Sequence, residues 1–123
     1  MANEATNVSD VIDRLFEVIK ARRIENSSES YVASLHQAGI NKILEKVGEE
    51  SVETIIAAKD AAGSKNTTEL IRETTDLWFH TLVMLDHLGE SPTSIYAELE
   101  RRFGISGMAA KQSRNTRETT RKK

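Results

Sequence analysis

Apolar residues recur at every third or fourth position along most of the chain, and each run ends at residues that cap or stop a helix. Val11, Ile12, Leu15, Phe16, Val18 and Ile19 keep that spacing behind Ser9, which predicts a first helix over about 9 to 23 with Ser9 as its N-cap. The segment IENSSES breaks the pattern, and a short second helix is expected in SYVASLHQAG, ended by Gly39. The third and longest helix should run from about Ile40 to Ala62, with Gly63 as its stop. A fourth starts near Thr67 or Thr68 and continues to Leu88. Ser91 and Pro92 then cap a fifth, Thr93 to about Phe103. No stretch alternates as a strand does, so the fold class is all-α, with about five helices in residues 9–103.

The ends read differently. Residues 1–8 look like a flexible N-terminus. From Gly104 the apolar period is lost and Lys111, Arg114, Arg117, Arg121, Lys122 and Lys123 make residues 104–123 a basic, disordered tail by expectation.

Composition narrows the function classes. Seventeen Lys and Arg against nineteen Asp and Glu give a net charge of −2, so neither nucleic acid nor an anionic membrane is an expected partner. There is no cysteine, which excludes disulfides and thiolate metal sites. No stretch has a signal peptide's character or the length of a membrane span, so a cytoplasmic protein is expected.

The chemistry lies in two acidic stripes. At about 100° per residue, with Glu49 at zero, Glu53 falls at about 40° and Glu50 at about 100° on helix three. Lys42 and Lys46 fall within the same arc, and Ile43, Leu44, Val47, Ile55 and Ala58 are assigned to the opposite one. On helix four Glu69, Glu73, Asp76 and His80 lie within about 60°. The rest of that helix (Leu70, Ile71, Leu77, Trp78, Phe79, Leu82, Val83, Leu85 and Leu88) is apolar around most of its circumference, which predicts burial, with Trp78 and Phe79 in the core. Glu73 and Asp76 are therefore expected to point into the protein, where an unpaired carboxylate is very costly and something positive should meet them. A hard divalent ion such as Mg²⁺ fits, since it takes carboxylate oxygens together with substrate phosphates. The pairs Glu50/Glu53 and Glu73/Asp76 are separated by nineteen residues, enough for the end of one helix, a turn and the start of its antiparallel neighbour. On spacing alone Lys42 and Lys46 build ladders with nearby glutamates, and His80 is a hydrogen-bonded core histidine. His36 and His87 have no partner that makes them candidates.

EESVE followed by ETTD resembles the signature of the MazG-like all-α nucleoside triphosphate pyrophosphohydrolases. SYVASL, GINKILEKVGEESVETIIAAK and ELIRETTDLWFHTLVMLDHLG are similar, more specifically, to the phosphoribosyl-ATP pyrophosphatase family of histidine biosynthesis, over about residues 9 to 103. The resemblance implies a MazG-like bundle around an antiparallel helix pair, completed by pairing into homodimers or homotetramers. It implies Mg²⁺-dependent hydrolysis of N1-(5-phosphoribosyl)-ATP, a small-molecule substrate, to phosphoribosyl-AMP and pyrophosphate, in a stand-alone domain. Glu50, Glu53, Glu73 and Asp76 would hold the metal, which neutralises triphosphate oxygens and acidifies the attacking water. Glu49 would be a further ligand or the base that orients that water. Lys42 and Lys46 become phosphate contacts on this reading, with Tyr31, Ser30 and Arg72 as weaker substrate contacts; Arg72 could instead pair with Glu69. Two rivals stand beside it: a MazG-like enzyme that removes another nucleotide, and a non-catalytic helical interaction domain whose acids decorate the surface.

Overall fold

A computed structural model describes residues 8–105, and side chains from Asp10 onward. The N-terminal segment and nearly all of the basic tail, including its six lysines and arginines, lie outside the described residues. Five helices follow in order: α1 (Val8–Arg23), α2 (Tyr31–Ala38), α3 (Ile40–Ser64), α4 (Thr68–His87) and α5 (Pro92–Phe103). Among the described residues there is no strand, and the chain is all-α as expected. No helix among them is long and apolar enough to cross a membrane.

Local chemistry sets the helix ends. Ser30 caps α2: its Oγ accepts the Ala33 N–H at 3.1 Å, an interaction that contributes about 1 kcal/mol at such positions. Gly39, at φ +102°, ends α2 and opens α3 in a conformation that an L side chain rarely takes. Two expected ends are displaced. Helix α1 begins at Val8, so Ser9 lies inside the first turn and not ahead of it. Helix α3 passes through Gly63 and stops after Ser64, with Lys65 in the left-handed conformation and its N–H bonded to the Ala61 carbonyl at 2.8 Å. The stop comes later because the side chains of the turn satisfy its amides. Ser64 Oγ accepts from the Asn66 N–H at 3.1 Å, and Asn66 Oδ1 accepts from the Thr68 N–H at 3.0 Å.

The described residues form two compact units, divided between Ser91 and Pro92. In the first, α3 packs mainly on α4 as a helical hairpin, while α1 packs on α4 and α2, and α2 on α3. All four helices feed one core: Phe16 and Ile19 from α1, Val32 and Leu35 from α2, Ile43 from α3, Leu82 and Val83 from α4. These residues belong to the start of α3 and the end of α4, so the remainder of the hairpin extends beyond the cover of α1 and α2. The expectation that α4 is buried all round is corrected on this point. Trp78 is 54% exposed, and Ile71 and Leu88 are more so, because only one side of α4 has neighbours. Phe79 packs at the core's edge. In the second unit, Glu98 binds both Arg101 and Arg102, the latter at 2.8 Å.

A buried charge ties three helices together. The Asp86 carboxylate at the end of α4 lies 3.2 Å from His36 Nε2 on α2 and 3.6 Å from Arg23 Nη1 on α1. Arg23 also donates to the Asp86 carbonyl at 3.0 Å. His36 Nδ1 and His87 Nδ1 are 2.9 Å apart, one carrying the proton that the other accepts. Both histidines therefore have structural partners that the sequence did not reveal.

Burial first, then the Arg23 guanidinium, lowers the His36 pKa against the opposing pull of Asp86. The unfolded chain takes up this proton first, near the ordinary value of 6.5. Stability from this group is complete above that pH and declines as pH falls toward the lowered native value. His36→Gln is expected to flatten that part of the Tm-against-pH curve. Asp86→Asn should lower the unfolding free energy in a urea titration by about 2 kcal/mol, less than for a wholly buried pair because Arg23 keeps 40% of its side chain in water.

Candidate metal and active site

Ile43, Glu50 and Ala57 recur at intervals of seven positions, two helical turns each, and all three are buried. Glu50 thus occupies the seam of the α3–α4 hairpin and is only 7% exposed. The helical wheel had assigned Ile43 to the arc opposite the acids. At about 100° per residue it lies only about 20° from Glu50, so the buried line and the acidic stripe meet. Ile55 and Leu44, from the presumed apolar arc, are largely exposed. Across the seam, Glu73 is half-buried and Asp76 is exposed, so of the three Glu50 on α3 is the most deeply buried and the inward placement expected for Asp76 is corrected.

Oxygens of Glu50, Glu73 and Asp76 all lie within 4.8 Å of one another. Glu50 Oε1 and Glu73 Oε1 are buried and have no hydrogen-bond partner. Burial raises the Glu50 pKa, and Glu53 and Asp76 raise it further against His80 and Lys46. Burial, contact with Glu53, and the charges of Glu50 and Asp76 raise that of Glu73. Three converging carboxylates with two unpartnered buried oxygens match the donor set of a hard cation, and the cluster could hold a metal ion.

Of the other candidates, Glu53 contacts Glu73, and the remainder pair with other groups. Glu53 is exposed one turn along α3 and acts on Glu73. Glu49 is exposed and accepts from Lys46 Nζ at 3.2 Å. Lys42 lies 3.7 Å from Glu45, and Arg72 lies 3.8 Å from Glu69. Each of these pairs joins residues three apart on one helix, so the pairing foreseen between Arg72 and Glu69 is present. Ser30 is occupied with the α2 cap and with the Arg22 carbonyl at 3.4 Å. Tyr31, half-exposed at the start of α2, reaches His80 Nε2 with its hydroxyl at 2.8 Å. His80 is a buried, hydrogen-bonded histidine as expected, but its tie to Tyr31 spans 49 positions and left no trace in the sequence.

The unfolded chain releases the carboxyl protons near the ordinary value of 4.5, before the native state does. The cost to stability therefore grows as pH rises through the raised native values and is full above them. Glu50→Gln is expected to raise Tm at pH 7 in the absence of divalent cations and to give no gain at pH 4. Adding a divalent cation should raise Tm of the wild-type protein by linkage and leave that of the variant unchanged. Calorimetry checks both.

A sequence profile of the phosphoribosyl-ATP pyrophosphohydrolase family matches residues 12–103, from the first turns of α1 to the end of α5. Its members are hydrolases of phosphorus-containing anhydrides in histidine biosynthesis. With its all-helical fold, its converging carboxylates and a match over most of its length, the chain belongs to the phosphoribosyl-ATP pyrophosphohydrolase family.

Proposed function

We propose that this enzyme uses Mg²⁺ to hydrolyse the α–β phosphoanhydride of N1-(5-phosphoribosyl)-ATP, giving phosphoribosyl-AMP and pyrophosphate in the second step of L-histidine biosynthesis. The observation that carries the proposal is the Glu50–Glu73–Asp76 cluster, with its oxygens within 4.8 Å, in a chain of this family. Glu53, one turn from Glu50, completes the set that would hold the ion. Bound there, Mg²⁺ supplies charge neutralisation for the triphosphate oxygens and acidifies water.

The chain's own groups have the remaining roles. Glu49, exposed and next to Glu50 in the chain, serves as the base that orients the water, or as a further ligand. Water attacks a phosphorus of the α–β linkage, the P–O bond to the leaving group breaks, and pyrophosphate departs. Lys42, Lys46 and Arg72 contact phosphates. Their present partners are exposed acids on their own helices, pairs worth about 0.3–0.5 kcal/mol, so exchange for a phosphate costs little. Tyr31 lines the nucleotide's side of the site. We place the reaction in the cytoplasm.

The protein acts as a homodimer or homotetramer on this reading. Val52, Ile55 and Ile56 on α3 and Ile71 and Trp78 on α4 are all more than half exposed in the single chain, an apolar surface of the kind that marks association.

Pyrophosphate release from phosphoribosyl-ATP with Mg²⁺, measured beside ATP and other nucleoside triphosphates, tests the activity. Turnover of phosphoribosyl-ATP alone, abolished by EDTA, is expected. Glu50→Gln and Asp76→Asn should each lower kcat about a hundredfold or more with the helical fold kept. Normal turnover by both would sink the metal-site reading, and preference for another nucleotide would replace the substrate. Sedimentation tests the assembly: the wild type should run as a dimer or tetramer and Ile55→Glu as a smaller species, whereas a wild-type monomer overturns the assembly.

A further inference from the structure

The face of α3 turned away from the hairpin seam carries a glycine that the single chain does not need. At about 100° per residue, Glu45, Gly48, Val52, Ile55, Ile56 and Lys59 lie within about 60° of the line opposite Glu50. All six are exposed. Gly48 has ordinary helical backbone, so no left-handed turn requires it. A Cβ added there meets no atom within 4 Å, so no neighbour in the chain requires it either. Glycine weakens a helix interior relative to alanine, and its remaining use is to let another body approach the backbone closely. That body is not a substrate held at the carboxylate cluster, because Gly48 lies on the far side of α3 from Glu50.

The chemistry of this face fits a second copy of the same helix. Val52, Ile55 and Ile56 are apolar and more than half exposed, between an acid at one end and a base at the other. Glu45 is only loosely held by Lys42 at 3.7 Å. Lys59 has no acid three or four positions away on α3, where Ile55, Ile56, Ala62 and Gly63 stand. A parallel twofold pair would set Glu45 beside the partner's Glu45 and Lys59 beside the partner's Lys59. An antiparallel pair centred on Val52, seven positions from each, sets Glu45 beside the partner's Lys59 twice over. Gly48 and Ile56 are each four positions from Val52, so the same register brings the partner's Ile56 to the space above Gly48. Glu45, Gly48, Glu49 and Val52 frame that space, the spacing that receives a knob between packed helices. The partner's Leu44 falls opposite Asp60, beside an open apolar hollow lined by Ile55, Ala58 and Ala62.

We infer that α3 pairs antiparallel with α3 of a second copy about a twofold axis at Val52, with the partner's Ile56 seated over Gly48 and the partner's Lys59 facing Glu45. The inference rests on the homo-oligomer proposed above and deepens it, naming the helix, its register and the residue that admits the partner. Glu49 borders the hollow and adjoins Glu50 in the chain, so the pairing backs the stretch of α3 that carries the cluster.

Cross-linking and sedimentation of the full-length protein test it. The chain contains no cysteine, so one introduced thiol reports the axis. Val52→Cys under mild oxidation is expected to give a covalent dimer on a non-reducing gel, and Ile24→Cys, in the exposed loop before α2, is not. No covalent dimer from Val52→Cys, in a protein that sediments as an oligomer, overturns the inference. Gly48→Leu fills the hollow and should raise the dissociation constant of the pair about tenfold or more. Its far-UV helical signal should be kept, since leucine favours a helix and meets no atom of its own chain at Cβ. Glu45→Lys and Lys59→Glu should each weaken association about fivefold, and together restore it to within about threefold of wild type, because the exchanged charges meet again. A double variant no tighter than the weaker single overturns the register and the inference. A wild-type monomer overturns the proposed assembly and this inference with it. A wild-type oligomer whose dissociation is indifferent to Gly48→Leu overturns this inference alone.

Discussion

The carboxylate of Glu50 occupies a position on α3 that the helical repeat reserves for core residues, between Ile43 and Ala57. A lone buried carboxylate is among the most costly groups a small protein can carry. Here the cost is compounded, because Glu73 and Asp76 from α4 aim their oxygens at the same point. Two of the oxygens in this region find no hydrogen-bond partner within the protein. The seam of the hairpin is thus unfavourable by itself and suited to a cation, the polarity expected where stability is exchanged for function.

That exchange is possible because the core lies elsewhere along the hairpin. Ile19, Leu35, Ile43 and Val83 are essentially sealed from solvent, and each contributes about 1.5–3 kcal/mol through burial. They gather where α1 and α2 cross the start of α3 and the end of α4. The Asp86 tie to Arg23 and His36 closes the same end. Beyond it the hairpin has only its own two helices, and small Ala57 and Ala61 on α3 are buried where they let those helices approach. Its outer faces remain apolar and uncovered in the single chain.

The site is also ordered by groups that touch no carboxylate directly. His80 holds the Tyr31 hydroxyl with one nitrogen and the Asp76 main chain with the other. One buried ring therefore links the start of α2 to the stretch of α4 that carries an acid of the cluster. Lys46 and Glu49, by contrast, satisfy each other on the surface of α3 and are free to exchange partners.

Helix number, type and approximate ends were legible from local pattern, since apolar spacing and the Gly39 and Pro92 signals act within a few residues. The paired acids were legible for the same reason: spacings of three on one helix need no tertiary knowledge. Which carboxylate faces inward was not, because helical phase places Glu50 near both the acidic stripe and the buried line, and only the packing of α4 against α3 selects between them. Exposure of Trp78 and Ile71 was misjudged likewise, since an apolar circumference reports what a helix can bury and not how many neighbours it has. The stop after Ser64 depended on side-chain bonds of the turn, and the partners of His36, His80 and Asp86 depended on contacts between residues 49 to 63 positions apart. Local chemistry along the chain determined the helices and the acids they carry; only the tertiary structure decided which acids meet, because that is a property of how helices touch.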